Sequence, residues 1–404
     1  MIRHFEKRQR RADGGLRAAV LAVALSALAL QCSESALAKK RSDEPDPVAI
    51  AAVLLDGGDP ARALLVLQDV DESAADLDKV RLYTLRGLAA LQVQRYPQAA
   101  ASLEKALAAR ATADDSEQDP RVLEVYLAFA HFGAGDCAAS FAALSRAGDE
   151  AEARAQSFLI RGECEKRAQR FGPALSALRE GQRRFPDESA LLERELLLLA
   201  ELSLYQELLA RAVPFVARAS EDEALLVLEA VRARGAHEEA TMLGEAIRLR
   251  FPSSQRAALA LAHAYVEMGR PLAAARLFEE VSFEDPSYAA EAAELYRRAG
   301  WRQMAVLAGA RSPDPVKKLR QRFGLLLEEE RFEEAAALAP RLDRSGLLDD
   351  DEVRYALAFA QLRCHRLAAA EGTLKSVDDP AVFRQAAELR RAIASCRQQG
   401  WQCR

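Results

Sequence analysis

The sequence predicts an all-α protein built from about ten antiparallel helix pairs. Half of the 404 residues are apolar, yet only 6% are aromatic, and Ala and Leu dominate the apolar set. Those two residues favour helices, whereas strands prefer β-branched and aromatic side chains. A small residue also recurs about every 34 residues, and several glycines fall at one point of the repeating unit. Composition and periodicity together predict a helical repeat protein.

The first 38 residues have the pattern of a signal peptide and are set apart from the fold. Six basic side chains precede the apolar run AAVLAVALSALAL, residues 18–30. That run is too short to cross a bilayer, which takes about 20 residues. Ala36-Leu37-Ala38 supplies small residues for cleavage after Ala38, so we expect export to a bacterial periplasm. Residues 39–46, KKRSDEPD, are polar and are predicted to be a disordered lead-in.

Lipidation is the alternative to soluble export. Cys32 lies just beyond the apolar run, where a bacterial lipoprotein carries its acylated cysteine. Gln31, however, stands where that signal requires a small residue. The pair Arg10-Arg11 could indicate twin-arginine export, but the following Ala-Asp-Gly-Gly does not fit that pattern. We therefore expect a periplasmic protein, or an outer-membrane lipoprotein that contacts the membrane if Cys32 is acylated.

The charge of the chain argues against nucleic-acid binding. Residues 1–38 hold six basic and three acidic side chains, so the remainder has 50 Lys and Arg against 58 Asp and Glu, a net charge of −8. Nucleic-acid binding requires a concentrated basic face. Here the charges alternate along predicted helices, which is typical of a solvated surface.

The repeat is clearest in residues 155–186, AQSFLIRGECEKRAQRFGPALSALREGQRRFP. The order is an aromatic residue, Gly, a second aromatic residue, Ala, a large apolar residue and Pro; these are Phe158, Gly162, Phe171, Ala174, Leu178 and Pro186. This order resembles the tetratricopeptide repeat (TPR). Aligned on the residue equivalent to Ala174, the series continues in both directions at steps of 30 to 41 residues: Ala63, Ala99, Ser140, Ala174, Leu208, Ala240, Ala274, Ala305, Ala335 and Ala370.

The resemblance implies a TPR-like α-solenoid, a right-handed superhelix of about ten antiparallel helix pairs with degenerate repeats. We expect a first part over residues 47–310, a bend at 311–315 (RSPDP) and a second part over 316–378. Residues 380–404 should form a capping helix and a tail, because a terminal repeat needs its exposed apolar face covered. The apolar positions of that helix occur at helical spacing: Val382, Phe383, Ala386, Leu389 and Ile393.

The same resemblance implies binding to other proteins through the concave face, which the first helix of each pair lines. The expected partner-binding residues are Glu163, Lys166, Arg167, His263, Glu267, Tyr355, Phe359 and Arg363. Their mixed charges differ from the dense Lys and Asn carboxylate clamp of chaperone-binding TPR proteins, so that ligand class is not expected.

Cysteines suggest disulfide bonds if the protein is exported. Cys137 should begin the second helix of its pair and Cys164 should end the next first helix, so a bond could join neighbouring repeats. Two free buried cysteines are the alternative reading. Near the end of the chain, Cys396 could pair with Cys364 or with Cys403, and the sequence does not separate these.

No constellation of residues indicates catalysis. The five histidines are scattered, and neither a nucleophile motif, a phosphate-binding glycine loop nor H-E-x-x-H occurs. We expect no enzyme activity, no cofactor, no metal and no small-molecule substrate. The sequence predicts a protein–protein interaction scaffold in an envelope assembly, secretion or motility complex, whose partners are other envelope proteins. A lipoprotein version and a regulatory subunit of a cell-wall or polysaccharide enzyme are the alternatives.

Overall fold

The computed structural model describes residues 46–74, 77–112 and 119–398. Within those ranges it has 23 α-helices, two short 3₁₀ helices and no strand, so the all-α, TPR-like class that the sequence predicts is confirmed. The chain divides between Leu198 and Leu199 into two compact units. The predicted signal peptide, nearly all of the predicted lead-in, Cys32 and Cys403 lie outside the described residues.

The first unit contains four complete helix pairs. The pairs are α1–α2, α3–α4, α5–α6 and α8–α9, and a single-turn helix, α7, follows α6. The bounds are α1 Pro47–Asp56, α2 Pro60–Gln68, α3 Lys79–Gln92, α4 Tyr96–Ala111, α5 Pro120–Ala134, α6 Cys137–Ala147, α7 Asp149–Glu152, α8 Ala155–Arg167 and α9 Phe171–Arg184. The next helix, α10 (Ser189–Glu201), begins in this unit and ends in the second.

The second unit continues the alternation of first and second helices and closes with α23. Its pairs are α12–α13, α14–α15, α16–α17, α18–α19 and α21–α22, and α11 is the partner of α10 in chain order. The bounds are α11 Tyr205–Val216, α12 Glu221–Ala233, α13 His237–Arg250, α14 Gln255–Glu267, α15 Pro271–Ser282, α16 Ala289–Arg298, α17 Arg302–Arg311, α18 Pro315–Glu328, α19 Phe332–Ala337, α20 Ala339–Arg344, α21 Asp351–Arg363, α22 Leu367–Leu374 and α23 Pro380–Gln398. The ten predicted pairs are therefore present.

The periodic series lies at one position in every pair. Each member is the fourth residue of its second helix, from Ala63 in α2 to Ala370 in α22. None is more than 2% exposed. Each backbone N–H also donates to the carbonyl of the residue four earlier, which precedes the helix. This series is the buried register of the array, and we number positions relative to it below.

The turn inside each pair has one backbone geometry. The residue five positions before the buried residue has a positive φ in all ten pairs; these residues are Gly58, Gln94, Gly135, Gln169, Ser203, Gly235, Gly269, Gly300, Glu330 and His365. In nine pairs the next N–H donates to the carbonyl five residues earlier, the bond of a Schellman motif. Half of these positions are not glycine, and each such side chain costs about 1 kcal/mol in the left-handed region.

Small residues are required where the two helices of a pair approach each other. A Cβ atom added to Gly162 would lie 2.8 Å from the Leu178 side chain, and one added to Gly87 would lie 2.6 Å from Leu103. Both glycines occupy the position twelve residues before the buried residue. Contact at these distances is shorter than van der Waals packing permits, so no residue larger than glycine fits at either position without displacing the facing leucine.

The C-terminal helix α23 spans Pro380–Gln398, within the residues 380–404 that were predicted to form a capping helix and a tail. Asp379 caps it by accepting a hydrogen bond from the Ala381 N–H at 2.8 Å. Val382, Ala386, Leu389 and Ile393 are buried as predicted, but Phe383 is 52% exposed. The prediction for Phe383 was wrong because adjacent helical residues are rotated by about 100°, which takes Phe383 off the buried stripe.

The segment proposed as a bend is a short helix connection inside the second unit. Ser312 is buried there, and Asp314 caps α18 by accepting from the N–H groups of Val316 and Lys317. The chain divides into its two compact units elsewhere, between Leu198 and Leu199, so the bend at 311–315 stays a prediction. Among the helices of the described ranges, none has the length and hydrophobicity that a membrane crossing requires.

The cysteines follow one of the two expectations. A disulfide joins Cys137, the first residue of α6, to Cys164 in α8, with Cα atoms 5.6 Å apart. Cys364 is a free thiol, whereas Cys396 is disulfide-bonded. The predicted alternative of a Cys364–Cys396 bond was therefore wrong.

Candidate functional site

Six of the eight predicted partner-binding residues, all except Lys166 and Tyr355, occupy two equivalent positions on first helices. These positions lie eleven and seven residues before the buried residue of each pair, so they are four apart and share a helix face. The residue pairs are Glu163 with Arg167 on α8, His263 with Glu267 on α14, and Phe359 with Arg363 on α21. The structure thus places the three predicted groups at one register of three different repeats.

On α8, Arg167 is held by two neighbours. Its Nε donates to Glu163 Oε1 at 3.1 Å, and its guanidinium lies 4.8 Å from the ring centre of Phe132 on α5. Cys164 lies between Glu163 and Arg167 in the chain and forms a disulfide bond with Cys137. Lys166 is half-buried on the same helix. The disulfide and the stacked cation together fix this end of α8 against the preceding repeat.

On α14, Glu267 forms a two-point ion pair with Arg232 of α12. Arg232 Nη2 donates to Glu267 Oε1 at 2.7 Å and Nε donates to Oε2 at 3.1 Å. Arg232 also donates to Glu229 at 2.7 Å, and the His237 ring nitrogen Nδ1 lies 3.7 Å from Glu267. A bidentate pair of this kind fixes both distance and orientation.

The electrostatics of this group favour a neutral histidine beside an ionised carboxylate. Burial of the His263 ring, and then the nearby positive charge of Arg232, lower the pKa of His263. Its ring packs edge-on against Phe278 at 5.3 Å. For Glu267, burial acts to raise the pKa, but the hydrogen bond and charge of Arg232 outweigh it and the pKa is lowered.

On α21, the predicted residues form an aromatic cluster. The rings of Phe359 and Phe332 meet edge to face at 5.7 Å, and the Arg363 guanidinium lies 4.5 Å from the centre of the Phe332 ring. Tyr355 and Phe359 also pack against the last hydrophobic cluster, which Ala358 and Leu374 help to form. These two aromatic residues therefore contribute to packing as well as to the surface.

The structure adds a contact that the sequence analysis missed. The contact joins the first helices of two successive pairs. In the first pair it uses the residue eight positions before that pair's buried residue. In the next pair it uses the residue seven positions before that pair's own buried residue. This happens three times, between Phe132 and Arg167, between Arg232 and Glu267, and between Arg297 and Glu328. We call these side chains the first-helix row. The signal was a Glu-x-x-Arg spacing, Glu229 to Arg232 and Glu294 to Arg297, followed one repeat later by Glu.

The candidate site consists of charged and aromatic side chains. No group of three or more His, Cys, Asp or Glu side chains within them is arranged to hold a metal ion. The basic run 317–322 begins α18, where Lys317 pairs with Glu291 at 2.9 Å and Arg320 pairs with Asp350 at 2.9 Å. Asp350 also caps α21 by accepting a hydrogen bond from the Glu352 N–H at 3.0 Å.

Comparisons with known proteins agree with the fold only. No protein-family model matches the sequence, and no curated protein matches it significantly. Similar solved structures include a TPR protein from Parabacteroides merdae (13% identity, 70% of this chain and 100% of that one, TM-score 0.37). Others are part of a TPR protein from Cytophaga hutchinsonii (12%, 68% and 98%, TM-score 0.42) and the type IV pilus biogenesis factor PilW (15%, 48% and 92%, TM-score 0.31). Likeness this low identifies no partner.

Proposed function

We propose that the protein is a non-catalytic scaffold of the bacterial cell envelope that binds partner proteins through the first helices of its repeats. One observation carries the proposal: six predicted binding residues, two from each of three repeats, fall at the same two positions of the helix pair. Stacked repeats present such equivalent positions side by side, and this is how repeat proteins build extended binding surfaces.

The side chains at these positions suit the recognition of a protein surface. Arg167 and Arg363 present guanidinium groups already oriented over aromatic rings, so little side-chain entropy remains to be lost on binding. Arginine and aromatic residues are also enriched in protein interfaces. The acidic balance of the chain speaks against nucleic acid as the partner.

The envelope location is supported by the signal-peptide pattern of residues 1–38 and by cysteines placed to bond. Cys137 and Cys164 lie at disulfide distance, and such bonds persist in oxidising compartments such as the periplasm. The setting we propose is an assembly, secretion or motility complex. An outer-membrane lipoprotein acylated at Cys32 is the second candidate, because Cys32 lies just beyond the apolar run, with Gln31 between them.

Crosslinking followed by affinity purification from envelope fractions tests the proposal. We expect specific envelope proteins to be recovered with the wild-type chain and lost with the triple variant Arg167→Ala, His263→Ala and Arg363→Ala. The control replaces two exposed arginines that lie at neither of the two binding positions, Arg218→Ala and Arg234→Ala. Recovery of no protein partner, or equal loss with the control, would refute the scaffold. Recovery of one cell-wall enzyme whose activity changes would favour the regulatory-subunit alternative.

The mass of the mature N-terminus separates the two locations. A soluble periplasmic protein should begin at Lys39 and remain in the aqueous phase during detergent partitioning. A lipoprotein should begin at Cys32 with an added acyl mass and enter the detergent phase. An N-terminus at Met1 would contradict export by either route.

A further inference from the structure

We propose that the protein binds a second copy of itself end to end. The first described helix pair of one copy, residues 46–69, would dock against the C-terminal helix α23 of the next. This goes beyond the scaffold function, because it concerns surfaces outside the first-helix row. It rests on what the two terminal elements expose and on the charge that each carries.

The first pair exposes apolar side chains on both of its helices. Ile50 is 37% exposed, Val53 is 71% exposed and Leu65 is 62% exposed. Ile50 and Val53 are three residues apart on α1 and so share one face. Repeat arrays require terminal units with a polar outer face to remain soluble and monomeric. Three large exposed apolar residues on one terminal pair therefore favour a covering partner.

The same pair is acidic. Residues 46–69 hold four aspartates and one arginine. Arg62 pairs with Asp59 at 3.3 Å. The other three aspartates, Asp46, Asp56 and Asp69, are exposed and form no ion pair with any described residue. Their charges are available to a cationic partner.

Helix α23 has the complementary character. It carries four arginines and one glutamate in a chain that is acidic overall. Arg384 and Arg391 are seven residues apart, which is two helical turns, so both lie on one exposed face. Neither forms an ion pair with a described residue. Phe383 is 52% exposed beside them, and Arg390 lies 5.8 Å from the centre of its ring.

These two surfaces are complementary, because both expose apolar side chains and their charges are opposite. The first pair combines three large exposed apolar side chains with negative charges, and α23 combines Phe383 with positive charges; these charges form no ion pair with a described residue. Complementary charge steers association and excludes wrong partners. Because one copy carries both surfaces, a second copy is the partner that the chain itself supplies. The two surfaces differ, so the contact is heterologous and joins copies head to tail.

Sedimentation velocity of the purified, processed protein tests the inference. We expect the average mass to rise above the monomer with protein concentration and to fall as salt is added, because exposed charges are screened. Reversing α23 with Arg384→Glu and Arg391→Glu should weaken association more than about tenfold, since like charges then face each other. Val53→Ser with Leu65→Ser should do the same from the other end, because the exposed apolar contact is lost while the acidic charge is kept.

Mixing the two variants distinguishes head-to-tail contact from other modes. Each variant retains one intact end, so the mixture should form a one-to-one dimer and nothing larger. Leu249→Ser with Arg218→Glu is the matched control, because Leu249 is 84% exposed on α13 and Arg218 is exposed elsewhere. A monomeric wild type, a mixture that stays monomeric, or a control that weakens association equally would overturn the inference. Circular dichroism of each variant verifies that it is folded.

Discussion

Arg232 and Glu267 form a bidentate ion pair, with bonds of 2.7 and 3.1 Å, between the first helices of two successive repeats. Arg232 lies eight residues before the buried residue of its pair, and Glu267 lies seven before that of the next. Phe132 with Arg167 and Arg297 with Glu328 have the same relationship. Two different chemistries, a cation–π contact and an ion pair that occurs twice, therefore occupy one geometric contact between neighbouring repeats, which makes it a property of the stack.

A double-mutant cycle on Arg232 and Glu267 should show a favourable coupling of about 0.5 to 1 kcal/mol, because the pair is bidentate yet partly exposed. The variants are Arg232→Gln and Glu267→Gln, measured by urea unfolding. A cycle on Arg256 and Asp222, which are a more exposed pair at 2.6 Å, is the control and should give a smaller value. Equal coupling in the two cycles would contradict the importance of the row.

Reduction of the Cys137–Cys164 bond should destabilise the first unit. The bond closes a loop with a sequence separation of 27. Opening a loop of that size costs about 3 kcal/mol through the entropy regained by the unfolded chain. Hydrogen exchange of α5 to α8 with and without reductant measures the loss, and Cys137→Ser with Cys164→Ser should reproduce it.

Cys364 supplies the control for that experiment. It is a free thiol, so Cys364→Ser should leave the response to reductant unchanged. If the oxidised and reduced proteins exchange equally in α5 to α8, the bond contributes no stability.

Gly162→Ala should lower the free energy of unfolding by about 1 to 3 kcal/mol, since the new methyl group would overlap Leu178. Gly172 in the partner helix α9 has no atom within 4 Å of an added Cβ. Gly172→Ala should therefore be neutral or stabilise by up to about 1 kcal/mol through helix propensity. Chemical denaturation of both variants is the measurement, and a similar effect at the two sites would exclude the proposed overlap.

Gln169→Gly should stabilise the protein by about 0.5 to 1 kcal/mol, because Gln169 has a φ of 58° and glycine relieves the left-handed strain. Gln98→Gly inside α4 is the matched substitution at an ordinary helical position. It should destabilise by about 1 kcal/mol. Thermal unfolding of both variants should give opposite shifts, and shifts of the same sign would contradict the turn geometry.

The pKa of His263 should lie below its ordinary value of 6.5. The unfolded chain then binds the proton more readily than the folded protein. The stability that neutral His263 contributes is therefore fully present above pH 6.5 and is lost as the pH falls below 6.5 toward the pKa of the folded protein. NMR titration of the imidazole measures the pKa, and Arg232→Gln should raise it by removing the nearby positive charge.

His263→Asn provides the thermodynamic check. Urea unfolding on either side of pH 6.5 should show a smaller pH dependence for this variant than for the wild type. An unchanged dependence, or an imidazole pKa at or above 6.5, would be inconsistent with the burial of His263 against Phe278.

The sequence by itself determined the repeat, its period and its buried register. All ten residues of the series from Ala63 to Ala370 are buried. Because a buried position accepts only small or apolar side chains, it can be recognised in the sequence as a periodic pattern. It also identified four of the glycine turns, such as Gly135 and Gly269, since glycine adopts a positive φ without cost. The placement of Glu163, His263 and Phe359 at one register followed from the same alignment.

Only the tertiary structure decided which side chains meet across repeats. Turns at Gln94, Gln169, Ser203, Glu330 and His365 have no local signal, because the Schellman bond and packing impose a left-handed conformation on residues that disfavour it. The pairing of Arg232 with Glu267 depends on how two helices from different repeats are aligned. The exposure of Phe383 and the free thiol of Cys364 likewise depend on which neighbours cover a helix face. Periodicity is local and survives in sequence, whereas contact between repeats is set by packing.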